Sequence, residues 1–121
     1  MKLNEKQVLF TKTLARLLQY AARKNIDVIL AEVFRPPEMA KIYAERGTGI
    51  AKSVHTKKLA ADMYIYKNGT VSWDKEDYRQ LGEHWKTLHD FCRWGGDFGK
   101  RNDREVGRDP FHFSFEHGGV Q

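Results

Sequence analysis

Apolar residues recur at two different spacings along the chain, and the alternation between them outlines the elements. Asn4 followed by Gln7 has the form of a capping box, and Phe10, Leu14, Leu17, Leu18 and Ala21 then repeat at helical spacing to about residue 24. Ile26 to Phe34 is apolar and β-rich, which predicts a buried strand. Arg35-Pro36-Pro37 ends it and opens a short helix that stops near Gly47. Thr48 to Lys58 is a polar, glycine-containing loop carrying His55. Leu59 to Tyr66 reads as a second strand, with Ala60, Asp62, Tyr64 and Tyr66 on one face and Ala61, Met63 and Ile65 on the other. Asn68-Gly69 is a tight-turn signal before a short strand at Thr70 to Trp73. Asp74 caps a third helix whose buried face carries Tyr78, Leu81, Trp85, Leu88 and Cys92, closed by Gly95-Gly96. After a charged loop, Asp97 to Arg108, the pattern changes to strict alternation. Phe111, Phe113 and Phe115 fall on one face of a strand, and His112, Ser114 and Glu116 on the other. The order α-β-α-β-β-α-β predicts an α+β fold, a single small domain over 1–121 in which helices pack on one face of an antiparallel sheet.

Composition narrows the class without choosing a function. With 121 residues, 40% hydrophobic and 31% charged, the chain is large enough for a core without staples. Its formal charge of +5 favours an anionic partner such as nucleic acid, anionic lipid or a wall polymer. Cys92 is the only cysteine, so an internal disulfide is excluded and a reducing compartment fits. The charged start, Met1 to Gln7, does not have the form of a signal peptide, and no stretch approaches the length of a membrane span. A cytoplasmic monomer is expected.

The candidate chemistry lies in the polar half of the last strand. A histidine opposite a phenylalanine stripe needs a polar partner, a metal or solvent. His55 and Asp62, seven residues apart, together with His112 make an open donor set of two imidazoles and one carboxylate, which suits zinc with one position left for water. Asp109, three residues before His112, is the first candidate for a general base. Glu116 and Asp97 are weaker ones. Spacing alone favours a solvated polar face over a metal site.

Four blocks make the pattern more specific. Ser53-Val54-His55-Thr56-Lys57-Lys58-Leu59-Ala60-Ala61-Asp62 resembles the S-x-H-x-x-G-x-A-x-D motif of the peptidoglycan zinc peptidases, the D-alanyl-D-alanine carboxypeptidases and dipeptidases and the L-alanyl-D-glutamate endopeptidases, small phage endolysins included. Asp109-Pro110-Phe111-His112-Phe113 is similar to their D/E-x-x-H-F segment, and Trp94-Gly95-Gly96-Asp97-Phe98 to their W-G-G-x-W/F stretch. Phe34 to Tyr43 resembles the arginine-bearing block after the first strand. The resemblance spans about residues 26 to 116.

It implies a Hedgehog/D,D-peptidase-like fold, Zn2+ held by His55, Asp62 and His112, and Asp109 as base. It further implies that Arg35 assists the reaction by binding substrate or steadying the oxyanion, that Ser53 touches substrate or supports a ligand, and that Trp94 walls the cleft. The chain departs from the motif at Lys58 in place of Gly, which predicts an ordinary backbone there, and also at Met39 and Ser114. The implied activity is hydrolysis of a peptide bond in the bacterial peptidoglycan stem peptide. The expected form is an L-alanyl-D-glutamate endopeptidase of the bacteriolytic endolysin kind, made in the host cytoplasm and released to the wall by a separate membrane-permeabilising protein. A D-Ala-D-Ala carboxypeptidase or dipeptidase is the alternative within the class. A non-catalytic basic module for wall polymer or nucleic acid is the alternative outside it, although no nucleic acid is expected because the aromatics follow core periodicity rather than a basic stripe. Other conspicuous residues have blander readings: His84 solvated, His89 packing or capping, His117 near the chain end, Cys92 a small hydrophobe, Trp73 and Trp85 core, and Lys57, Lys58 and the 100–108 loop solvated surface.

Overall fold

The computed structural model of the chain describes residues 1–47 and 53–121. Helix α1 (Leu3–Arg23) leads to β1 (Asp27–Leu30), α2 (Pro37–Glu45) and a 3₁₀ turn at Val54–Lys57. The hairpin β2 (Ala60–Lys67) and β3 (Thr70–Val71) follows, then α3 (Arg79–Leu88), β4 (Cys92–Trp94) and β5 (His112–Phe115). The strands form one antiparallel sheet in the order β1-β2-β5-β4, with β3 added beside β2. The α+β architecture expected from the pattern is the one observed.

The core lies between the sheet and the two long helices. Phe10, Leu14, Leu17 and Ala21 of α1 meet Leu81 and Trp85 of α3, and both sets close on Phe113 and Phe115. The Phe10 ring stands edge-on to Trp85 and to Phe115, at 5.9 and 5.2 Å between centroids. Trp85, fully buried, also satisfies its indole by donating to Arg93 O at 2.9 Å. A buried Trp with a satisfied N–H combines a large apolar area with no polar cost.

Several local expectations change. Helix α1 begins at Leu3, so Asn4 is already inside it and no side chain caps it. Gln7 instead donates to Lys57 O at 2.8 Å, tying α1 to the 3₁₀ turn. The strand expected over Ile26 to Phe34 is short and lies at the sheet edge, with Ile29 and Leu30 about half exposed. The third helix ends at Leu88 rather than near Gly95, and Cys92 lies on a strand. His89 makes this turn: it takes an extended backbone, accepts Phe91 N at Nδ1 (3.0 Å) and accepts Cys92 N at its carbonyl. The capping expectation for His89 therefore holds. Trp73 is 66% exposed and is not core; its ring rests edge-on to Tyr64 and Phe111. His84 is stacked on Tyr20 at 3.6 Å rather than simply solvated. The expected loop from Thr48 lies outside the described residues as far as residue 52.

Contrasting the two aromatics tests this packing. Phe115→Ala should cost about 3–5 kcal/mol of unfolding free energy. Trp73→Ala should cost less than about 1 kcal/mol, as surface substitutions usually do. Urea midpoints of the two variants decide it, and a comparable loss in both would contradict the assignment of Trp73 to the surface.

Candidate metal centre

Pairing of β2 with β5 places Asp62 directly opposite His112. Side chains paired in this way on an antiparallel ladder lie within contact distance. Asp62 is pinned from the other side too: its N donates to Glu32 O and its O accepts from Ala31 N, both at 2.8 Å. His55 arrives from the 3₁₀ turn. Ser53 caps that turn, its Oγ accepting from His55 N at 3.2 Å, while Thr56 Oγ1 donates to Ser53 O at 2.6 Å. Ser53 thus lies beside the site as a support for His55, and it also lines the cleft.

The turn then enters β2 through Lys58, whose φ of 58° and ψ of 39° are left-handed. The expectation of an ordinary backbone at Lys58 is therefore wrong. The backbone keeps the conformation that the motif's glycine would adopt most easily, and Lys58 bears a local cost of roughly 1 kcal/mol for it. The Lys58 ammonium lies over the Phe34 ring, 5.0 Å from its centroid.

His55, Asp62 and His112 offer one ligand atom each within 4.8 Å of one another. His55 Nε2 and His112 Nδ1 both stand 3.3 Å from Asp62 Oδ1. Each ring's other nitrogen faces a main-chain carbonyl: His55 Nδ1 lies 3.3 Å from Val33 O, and His112 Nε2 lies 2.8 Å from Gln121 O. A carbonyl only accepts, so each outer nitrogen carries the proton. In the neutral rings the two inner nitrogens are then lone pairs, converging on a carboxylate. Such a set is satisfied only by extra protons or by a cation, and two imidazoles with one carboxylate fit Zn2+.

The electrostatics agree. Burial raises the Asp62 carboxyl, but hydrogen bonds and charge from His112 and His55 outweigh it and hold Asp62 at about 2. Burial lowers His112, yet Asp62, Asp109 and the Gln121 carbonyl leave it raised. Asp109 is raised by burial, with the negative charge of Asp62 adding to it and His112 opposing.

The cluster lies in a cleft of about 900 Å³ whose lining includes Arg35, Phe98, Arg108 and Asp109. Asp109 is held by its backbone, N to Gly95 O and O from His112 N, both 3.2 Å. Its carboxylate makes no hydrogen bond or ion pair among the described residues. Gly95 has to be glycine here, since a Cβ would lie 1.9 Å from Asp109 O. Arg35 reaches the cleft and pairs with Glu32 at 2.6 Å; the same Glu32 oxygen is 3.7 Å from His55 Nδ1. Sequence reasoning missed Glu32, because nothing in its spacing marks it as the link between an arginine and a ligand.

Trp94, expected as a cleft wall, is 1% exposed and is core: its indole donates to Pro110 O at 2.9 Å, and its ring fills the space left by Gly82 and Gly96. Phe98 is the aromatic that lines the cleft, 5.7 Å from the His112 ring. Asp97 is engaged by Lys86 and Lys100 at 2.9 and 2.7 Å. Glu116 points away into the following turn, where it accepts from Gly119 N. His117 meets Lys6 rather than the cluster. Burial pushes the Cys92 thiol up to about 12, as suits a small hydrophobe.

The paired shifts dictate a pH profile for the zinc-free protein. Asp62 titrates lower when folded than its ordinary 3.8, so its contribution is present above that value and lost as pH falls towards about 2. His112 titrates above its ordinary 6.5, so its contribution is full below 6.5 and lost as pH rises through the folded value. The stability difference between wild type and Asp62→Asn should therefore be largest between about pH 4 and 6.5. Denaturant titrations of both proteins without zinc measure it, and a difference that grows steadily above pH 7 would contradict the coupling.

No family model matches the chain, and no curated protein sequence does. Solved structures do. The L-Ala D-Glu endopeptidase ChiX of Serratia marcescens superposes with a TM-score of 0.67 at 21% identity, covering 85% of this chain and 77% of that one. The vancomycin-resistance D,D-pentapeptidase VanY from a VanB-type resistance cassette, a mutant solved in complex with Zn(II), superposes at 0.60 with 20% identity, covering 89% and 71%. The chain has the fold of these two peptidases, and the resemblance carried by the four sequence blocks recurs as a three-dimensional likeness with a His-Asp-His group in its cleft.

Proposed function

We propose that the protein is a zinc-dependent peptidase that hydrolyses a peptide bond in the stem peptide of bacterial peptidoglycan. The observation that carries this reading is the convergence of His55 Nε2, Asp62 Oδ1 and His112 Nδ1 in an open cleft, on the fold of two peptidases that act on such bonds or bind zinc. His55, Asp62 and His112 would hold Zn2+, which would supply Lewis acidity and make water a stronger acid at the cleft floor.

The chain's own residues do the rest. Asp109 stands in the cleft with a free carboxylate whose basicity burial has increased. It accepts a proton from the attacking water and returns it to the leaving amine. Arg35, fixed by Glu32, places a permanent positive charge on the cleft wall for a substrate carboxylate or a developing oxyanion. Ser53 keeps His55 in place and presents a hydroxyl to the cleft. Phe98 makes an apolar side against which a short peptide can lie.

Within this class we favour cleavage between L-alanine and D-glutamate, supported by the sequence resemblance to small endolysins and by the likeness to ChiX. The sequence resemblance to small endolysins alone supports a lytic role on the wall, reached from a host cytoplasm through a lesion made by another protein. The net charge of +5 suits an anionic wall. The likeness to VanY favours the second reading, a D,D-peptidase.

Zinc content and wall lysis, measured together, test the mechanism. His112→Ala should lose zinc and lysis. Asp109→Ala should retain zinc while lysis falls about 10²–10⁴-fold, as loss of a general base does. Unchanged lysis in both variants would exclude the mechanism and leave a binding module. Digestion of purified wall decides the bond: new D-glutamate amino termini are expected, and free D-alanine with intact L-Ala–D-Glu bonds would select the D,D-peptidase.

A further inference from the structure

The chain turns back on itself after β5. Glu116 N is bonded to Phe91 O at 2.9 Å, after which Gly118 and Gly119 both take positive φ, 57° and 81°, as in a type I′ turn. His117 and Val120 pair across this turn with N–O distances of 2.8 and 3.0 Å. The Glu116 carboxylate closes it from within, Oε1 accepting from Gly119 N at 2.5 Å. Lys6 of α1 ties it down, its Nζ donating to Glu116 O at 2.6 Å and lying 3.2 Å from His117 Nδ1. The reversal brings the Gln121 main-chain carbonyl to His112 Nε2 and, at 3.4 Å, to Ser114 Oγ. Gly119, Val120 and Gln121 become part of the cleft lining.

We propose that this Glu116–Gln121 turn is a positioning device for the metal centre: it presents the Gln121 carbonyl to His112 Nε2 and thereby holds the His112 ring with its Nδ1 lone pair aimed between Asp62 and His55. The proposal rests on the zinc reading of the site.

The two histidines differ in how they are held. His55 takes its outer partner, Val33 O, from the segment whose Ala31 and Glu32 bond the Asp62 backbone and whose Arg35 N donates to His55 O. His112 lies on a central strand but depends for its outer partner on a turn that returns from nine residues further along. Without that carbonyl the ring is free to carry its proton on either nitrogen, and one of the two tautomers points N–H at the metal position. Outer partners of metal-bound histidines commonly change metal affinity 10–100-fold. Glu116, which has no place in the cleft, acquires a function in this arrangement, because its carboxylate oxygen is the acceptor that shapes the turn.

Zinc affinity, read by competition with a fluorescent chelator and with zinc alone as the probe, tests the device in wild type, Glu116→Ala, Glu116→Gln and a variant lacking residues 119–121. Glu116→Ala and the deletion should weaken zinc about 10-fold or more. Glu116→Gln keeps an acceptor oxygen and should stay within about twofold of wild type. In zinc-loaded wild type the His112 Nε2 proton should exchange slowly with solvent by NMR and become fast in Glu116→Ala, a change that general destabilisation, monitored by zinc-free melting, does not reproduce. Equal zinc affinity in wild type, Glu116→Ala and the deletion would overturn the proposal. Equal losses in Glu116→Ala and Glu116→Gln would overturn it as well, since charge rather than turn closure would then be acting. Failure of the wild type itself to bind zinc would instead overturn the proposed function.

Discussion

The pairing of Asp62 with His112 across β2 and β5 is the contact on which the rest depends. A strand's side chains alternate between faces, so a shift of one residue would send His112 into the helices and a phenylalanine into the cleft. Phe113 and Phe115 prevent that shift. They are fully buried against Phe10 and Trp85, and the core they form has no room for a polar ring. Core packing therefore sets the register, and the register sets the geometry of the donor atoms. The helices α1 and α3 supply no donor atom, yet they determine where the donors meet.

A second constraint is the supply of main-chain carbonyls. Val33 O and Gln121 O engage the outer nitrogens of the two rings, so three electron pairs converge without competing donors. Glu32 serves similarly for the wall of the cleft: one of its oxygens holds Arg35 and lies close to His55. The positive side of the cleft and its His-Asp-His floor are thus coupled through a single carboxylate. Arg35 does not stand free of the ligand set.

Much of this was legible in the chain. The alternation of Phe111 to Glu116 exposed the final strand, and the parity of Ala60 to Tyr66 placed Asp62 away from the core, both because a half-buried strand has period two. What escaped had weak local signals. The end of α3 at Leu88 carries no glycine or proline; a histidine ring caps it, and an apolar run through Cys92 reads equally well as helix or strand. Trp94 was expected at the cleft that Phe98 lines, because a Trp-Gly-Gly sequence does not say which way its indole turns, whereas the void over Gly82 and Gly96 does. The left-handed backbone at Lys58 violates a rule of propensity, and such violations are decided by tertiary structure: the turn must close between His55 and Asp62 whatever residue stands there. Glu32 and the Gln121 carbonyl were invisible for another reason. One acts through a neighbour and the other through its main chain, and neither leaves a residue-type signature.

The order of strands also governs when the site comes into being. β5 lies in the middle of the sheet but is the last of the described strands in chain order, inserting between β2 and β4. Until it is in place, β2 and β4 present unpaired edges, the cleft has no His112, and only two of the three donors exist. A centre that needs all three donors therefore cannot form before β5 has paired with β2. A metal held by all three donors would report a completed sheet.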